Sequence, residues 1–277
     1  MSRAAPCPRF ALLLVSARRG WILSSLLLVN LALGCEGASS SDDPEVEVLV
    51  SVAASMSDAI AAIAAEFEAS EPGAEIAINV GSSGELARQI ARGAEVDLYI
   101  AADPAWIDWL IDQKAPAGDR RAFAGNRLAL VTTSSRADSL RSIADLVASD
   151  IKRIAIGQPE TSPAGRYAMR ELERRGVADA VAERFILTDH VRQALVYLER
   201  GEADAAFVYE TDVRDASSLH IVERFALPER MYEALALDRD DASDASSGRR
   251  LMRDRFVEHL HSAAATRILR EHGFVVD

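Results

Sequence analysis

The strongest constraint on this chain is the order in which two hydrophobic periods alternate. Residues 45–53 (EVEVLVSVA) read as a strand, and Met56, Ile60, Ile63 and Phe67 then recur at the spacing of one helix face through Glu68. Pro72-Gly73 stops that helix. A second strand, 74–80, runs into Gly81-Ser82-Ser83-Gly84, a helix carrying Leu86 and Ile90 ends near Gly93, and a third strand covers 96–101. Strands that alternate with helices are joined by crossover connections, which build a parallel sheet with helices on its faces.

The alternation resumes further on. Asp103-Pro104 predicts a helix start, because the carboxylate can cap free backbone N–H groups and the proline sits where its missing donor costs nothing. Trp106, Trp109 and Leu110 then face inward. Strands are predicted over 127–132, 153–156, 205–209, 219–225 and 231–237, and helices near 143–148 and over 164–175, 191–200 and 251–271. Gly176, Gly201 and Gly273 follow three of these helices, and the polar stretch 238–248 reads as a surface loop. The predicted fold class is α/β with two lobes, each a mostly parallel sheet flanked by helices, and a ligand cleft between them. The first lobe is expected to comprise 46–126 plus 212–277 and the second 127–211, with crossovers near Asn126 and Asp212.

The amino terminus has a different character. Residues 1–34 hold Arg3, Arg9, Arg18 and Arg19 and no acid, and an apolar stretch from Trp21 to Leu33 leads into Gly34-Cys35. That is the layout of an export signal, and the stretch is shorter than the roughly 20 residues a membrane-spanning helix needs. Leu31-Ala32-Leu33-Gly34-Cys35 resembles the lipobox of bacterial lipoproteins, which implies that Cys35 is lipidated and that 35–45 is a flexible tether outside the cytoplasmic membrane. A plain secreted protein with an incidental Cys35 is the alternative.

Cleavage after residue 34 removes four arginines and no acids, taking the formal charge from −12 to −16. Nucleic acid is an improbable partner for such a chain. Cys7 falls in the removed segment, so with Cys35 lipidated no cysteine is left for disulfides, metals or thiol catalysis.

Three strand-to-helix loops carry the candidate chemistry: Ala53-Ala54-Ser55, Gly81-Ser82-Ser83-Gly84 and Thr161-Ser162-Pro163-Ala164-Gly165. Each presents backbone N–H groups at a helix N-terminus, where they lack intrahelical partners and the macrodipole places partial positive charge. An anion is stabilised there without a cationic side chain. Taken singly, each loop is also explained by routine capping and turning.

In order and spacing, several blocks resemble the periplasmic molybdate-binding proteins of ABC importers over nearly all of 46–276. They are VAASM from Val52, GSSGELARQI from Gly81, DLYIAAD from Asp97, GNRL from Gly125, PETSPAGRYA from Pro159, VRQAL from Val191 and FVY ending at Tyr209. The resemblance implies a type II periplasmic binding protein fold. It also implies that molybdate, and tungstate of nearly the same size, is held as an oxyanion by Ser55, Ser83, Ala164, Val191 and Tyr209. Two serine hydroxyls, two backbone amides and one phenol would then do the binding, with no cofactor and no metal-cation ligands. The implied partners are the oxyanion, an ABC permease and its ATPase, with the membrane touched only through the lipid anchor; nothing in the sequence calls for more than a monomer. His190 departs from the pattern, which usually has Asn or Asp there. It is expected to alter helix capping, or to make binding pH-dependent where the imidazole nears the cleft, or to be an ordinary surface histidine. Gln158 stands where Asp is common.

Other readings remain at this stage. Sulfate is a smaller tetrahedral alternative, and a bilobed ligand sensor has the same build, although no DNA-binding or signalling segment accompanies it. An enzyme with Ser83 as nucleophile lacks both the Gly-x-Ser-x-Gly elbow and a suggested triad order.

Overall fold

In strand β1 (Val46–Ala53), Val48, Val50 and Val52 alternate onto one buried face. There they meet Ile60, Ile63 and Phe67 of helix α1 (Ser57–Ser70), so the period of two in the strand and the period near four in the helix share one apolar layer. The computed structural model describes residues 46–276 except 149, 215, 230 and 239–243. The export segment, Cys35 and the tether lie outside the described residues.

The first sheet adds β2 (Ala74–Gly81), β3 (Leu98–Ala101), β4 (Ala117–Ala124) and β10 (Tyr232–Leu237) in the order β2-β1-β3-β10-β4. Helices α2 (Ser83–Ala91) and α3 (Pro104–Asp112) cover its second face, where Leu86, Trp106 and Leu110 pack on Tyr99 and Leu235. The second sheet is built from β5 (Arg127–Thr133), β6 (Ile154–Gly157), β7 (Phe185–Thr188), β8 (Ala205–Tyr209) and β9 (Leu219–Ala226) in the order β7-β6-β8-β5-β9. Its flanking helices are α4 (Pro163–Arg174), the short α5 (Ala178–Val181) and α6 (Val191–Glu199). Helices α7 (Asp244–His259) and α8 (Ala263–Glu271) return to the first lobe, with Phe256 and Leu269 in its core.

Both sheets are mixed but mostly parallel: in each, four strands run one way and a single strand, β10 or β5, runs antiparallel to its two neighbours. The parallel part of each is the pattern that sequence periodicity had suggested. Three expectations change. Residues 219–226 pair along β5 from Arg127↔Ala226 to Thr133↔Leu219. That strand therefore stays in the second sheet, and the return crossing falls in 227–231, after β9 rather than near Asp212. The single helix expected over 251–271 is two, because Ser262 caps a fresh start by accepting from the Ala265 N–H at 3.1 Å. Residues 143–147 form a 3₁₀ turn, not an α-helix.

The outward crossing is tightly enclosed. Gly125 exchanges backbone bonds with Val275 at 2.7 and 3.0 Å, and a Cβ at Gly125 would lie 1.9 Å from the Glu229 carbonyl oxygen. Only glycine lets the two crossing segments lie side by side.

Candidate functional site

The three parallel strands of each sheet end on the cleft. From the first lobe, the residues after β1 and β2 bring Ala54, Ser55, Ser82 and Ser83 to one cavity; from the second, Ser162, Pro163, His190, Val191 and Tyr209 reach the same cavity. Four of the five sequence-predicted site residues, Ser55, Ser83, Val191 and Tyr209, therefore line a common space. Ala164 is buried immediately behind Ser162 and Pro163 as the second residue of α4. The cavity is narrow, about 10 Å³, far below the roughly 300–1,000 Å³ of pockets that take drug-sized ligands, so only a compact solute suits this one.

The hydroxyls are wired to donate. Ser83 Oγ accepts from the Ala102 N–H at 3.0 Å, which leaves its own proton for another acceptor. The Ser83 carbonyl is fixed by Tyr99, whose hydroxyl donates to it at 2.6 Å. Ser55 Oγ lies 2.8 Å from the Tyr232 hydroxyl, which in turn accepts from Asn126 Nδ2 at 3.2 Å. Either oxygen of the Ser55–Tyr232 pair can be the donor; with Tyr232 donating, Ser55 keeps its proton for another acceptor. Tyr209 is fully buried, its hydroxyl has no hydrogen-bond partner among the described residues, and burial pushes its pKa well above the usual phenol value. It is a neutral donor with nothing to donate to, a state that costs free energy unless a ligand relieves it.

The N-termini of α2, α4 and α6 add backbone dipoles, and each is shaped by its cap. Ser82 accepts from the Glu85 N–H at 3.3 Å, and His190 Nδ1 accepts from the Gln193 N–H at 3.3 Å. Pro163 occupies the first turn of α4, where no donor is lost. Ser162, also lining the cavity, makes no side-chain capping bond, so its hydroxyl is a further donor that the sequence had shown only as part of a loop.

Among the described residues no lysine or arginine lines the cavity. Neighbouring guanidiniums are engaged elsewhere: Arg192 makes a two-pronged bond to Asp58 at 2.9 and 2.7 Å, and Arg166 meets Asp103 at 2.9 Å. His190 is not a bland surface residue. It is partly buried, and burial holds its pKa below the usual imidazole value, with Arg192 acting in the same direction and Asp189 and Glu85 opposing. The capping bond needs an unprotonated Nδ1, so the neutral ring carries its proton on Nε2.

Asp212 stands just below the phenol, accepting from the Tyr209 N–H at 3.1 Å. Burial, with some help from Asp58, raises its pKa to about 7 against Arg192 and that backbone bond. A carboxyl whose folded pKa is raised favours the fold while protonated, and this contribution is lost as pH rises through about 7. In Asp212→Asn the melting temperature should therefore fall less between pH 5 and pH 8 than in the parent, as read by thermal unfolding; an identical pH slope would refute the assignment.

A larger cavity of about 320 Å³ is lined by Asp103, Arg166, Tyr167, Arg170 and Leu227 among others. Its carboxylates are already paired, Asp103 with Arg166 and Glu171 with Arg174, and the strand-end donors do not converge there. The smaller cavity is the chemically prepared one.

Known proteins match this architecture. Residues 48–275 fit the family model for bacterial extracellular solute-binding proteins. The putative ABC transporter substrate-binding lipoprotein YvgL of Bacillus subtilis is 30% identical, covering 92% of this chain and 97% of the relative. The molybdate-binding protein ModA of Escherichia coli is also 30% identical, over 90% of this chain and 97% of its own. The periplasmic molybdate-binding protein of Azotobacter vinelandii superposes with a TM-score of 0.68 at 22% identity, covering 83% of this chain and 99% of that one, which shows a shared fold.

Proposed function

The chain belongs to the bacterial extracellular solute-binding protein family, and on that premise we propose that it captures molybdate, and tungstate with it, for an ABC importer. The ion is held by Ser55, Ser83 and Tyr209 hydroxyls and by the backbone N–H groups of Ala164 and Val191, and is then passed to the permease and its ATPase. Cys35, lipidated after export, tethers the protein outside the membrane. The observation that carries this reading is the buried Tyr209 hydroxyl, without a partner among the described residues, in one cavity with the hydroxyls of Ser55 and Ser83.

Electrostatics favours such a site over a cationic one. With formal charge near −16 after export, the protein repels a dianion at long range, so specificity has to come from short, preorganised contacts. Each charge-assisted hydrogen bond contributes about 1.5–3 kcal/mol net, and roughly five of them are compatible with nanomolar affinity, about −12 kcal/mol, after association costs. A neutral donor set also spares the desolvation of a buried cation.

Calorimetric titration with molybdate, tungstate and sulfate tests the proposal. Molybdate and tungstate should bind alike and sulfate more weakly, because a smaller tetrahedron cannot reach all donors at once. Ser55→Ala and Ser83→Ala should each weaken molybdate binding about 10- to 100-fold without unfolding the protein. Equal or tighter sulfate binding would overturn molybdate as the ligand, and unchanged affinity in both serine variants would remove the site.

A further inference from the structure

Four charged residues frame the cleft in a regular pattern. Asp58 lies one helical turn beyond Ser55 and Arg192 directly follows Val191; the two join the lobes through bonds of 2.9 and 2.7 Å. Asp103 directly follows Ala102 and Arg166 lies one turn beyond Pro163; these join the lobes at 2.9 Å. Each pair thus ties a residue adjacent to one cavity wall to a residue just beyond the opposite wall. The second pair is reinforced by Trp106, whose ring lies 5.6 Å from the Arg166 guanidinium and 5.5 Å from that of Arg88. Asp103 is held in place by accepting from the Ala105 N–H at 2.9 Å.

We propose that Asp58 with Arg192, and Asp103 with Arg166, are positioning clamps that set the distance between the donors of the two lobes and thereby the residence time and size preference of the bound ion. This rests on the binding site proposed above. A cleft of neutral donors has no strong central charge to pull the lobes together, so the spacing must be fixed at its rim. Arginine suits the task because its planar fork fixes direction as well as distance. Spending its charge on a carboxylate also keeps the guanidinium from competing for the anion. The side chains of Asp58 and Arg192 are 69% and 35% exposed, so the pair is worth little to global stability and its loss should be felt mainly in closure.

The test uses Asp58→Asn and Arg166→Gln, singly and together, with the swapped pair Asp58→Arg/Arg192→Asp as the rescue. Stopped-flow kinetics should show molybdate leaving about three- to tenfold faster for each broken clamp, association within about twofold of the parent, and release restored in the swapped pair. The ratio of sulfate to molybdate affinity should move towards one in the double variant. Unchanged release in both single variants, or no rescue by the swap, would overturn the clamps. A parent protein that binds no molybdate would instead sink the proposed function. The clamps are then judged on ligand-free protein by the distance between spin labels at the exposed Ile111 and Val147, one on each lobe: lengthening in the variants supports them and an unchanged distance overturns them.

Discussion

Gly84→Ala should weaken molybdate binding by about 100-fold or more, roughly 2.7 kcal/mol, although alanine is the better helix former. Gly84 sits in the first turn of α2, and its N–H donates to the Thr161 carbonyl across the cleft at 2.8 Å. A Cβ there would lie 2.7 Å from both Cα and O of Thr161 and 2.3 Å from Trp106 Cζ2. The obstacle includes backbone, so no rotamer change relieves it; the opposite lobe must retreat, and every donor beyond Thr161 retreats with it. Calorimetry would read the lost affinity, and circular dichroism with a melting curve would show that the lobes remain folded. A folded alanine variant within fivefold of the parent's affinity would mean that the contact between Gly84 and Thr161 does not belong to the binding-competent state.

The second large effect is expected at Tyr209. Removing its hydroxyl in Tyr209→Phe should lower affinity about 10- to 150-fold, the range of one charge-assisted hydrogen bond, while leaving the ligand-free protein equally stable or more stable by about 1 kcal/mol. The asymmetry follows from the buried oxygen having no protein partner, so nothing is broken when it is deleted. If the hydroxyl were merely structural, the order would reverse: stability would fall and affinity would hold. Paired calorimetry and denaturant unfolding separate these outcomes.

Much of this site was legible before any coordinates. The parallel strands β1 and β2 were marked by alternation, and the loops after them carried Ser55 and Ser83 because those positions start helices, whereas the loop after β3 ended in Asp103. β4 was not legible, since Asp119, Arg120 and Arg121 interrupt any apolar alternation in Ala117–Ala124 and only pairing with β10 makes it a strand. β7 was missed as a short edge strand of four residues. The membership of Leu219–Ala226 was misjudged because periodicity identifies a strand without naming its partner. Ser162 and His190 gained roles only when three helix starts were brought to one cavity. The rim pairs were invisible for a simpler reason: Asp58 and Arg192 are 134 residues apart, and nothing local in either segment signals the other.

The wiring of the two serines has one more consequence. Ser83 Oγ accepts an incoming backbone N–H, Ser55 Oγ is paired with the Tyr232 hydroxyl, and among the described residues no carboxylate lines the cavity. The chamber therefore offers protons and has no carboxylate to receive one. A hydrogen phosphate ion, which carries its own O–H at neutral pH, would bring a donor to a place where only hydroxyl oxygens, weaker acceptors than a carboxylate, can receive it. On the proposed function hydrogen phosphate should therefore bind more weakly than molybdate, and a lone acidic side chain turned into the cavity should narrow that difference.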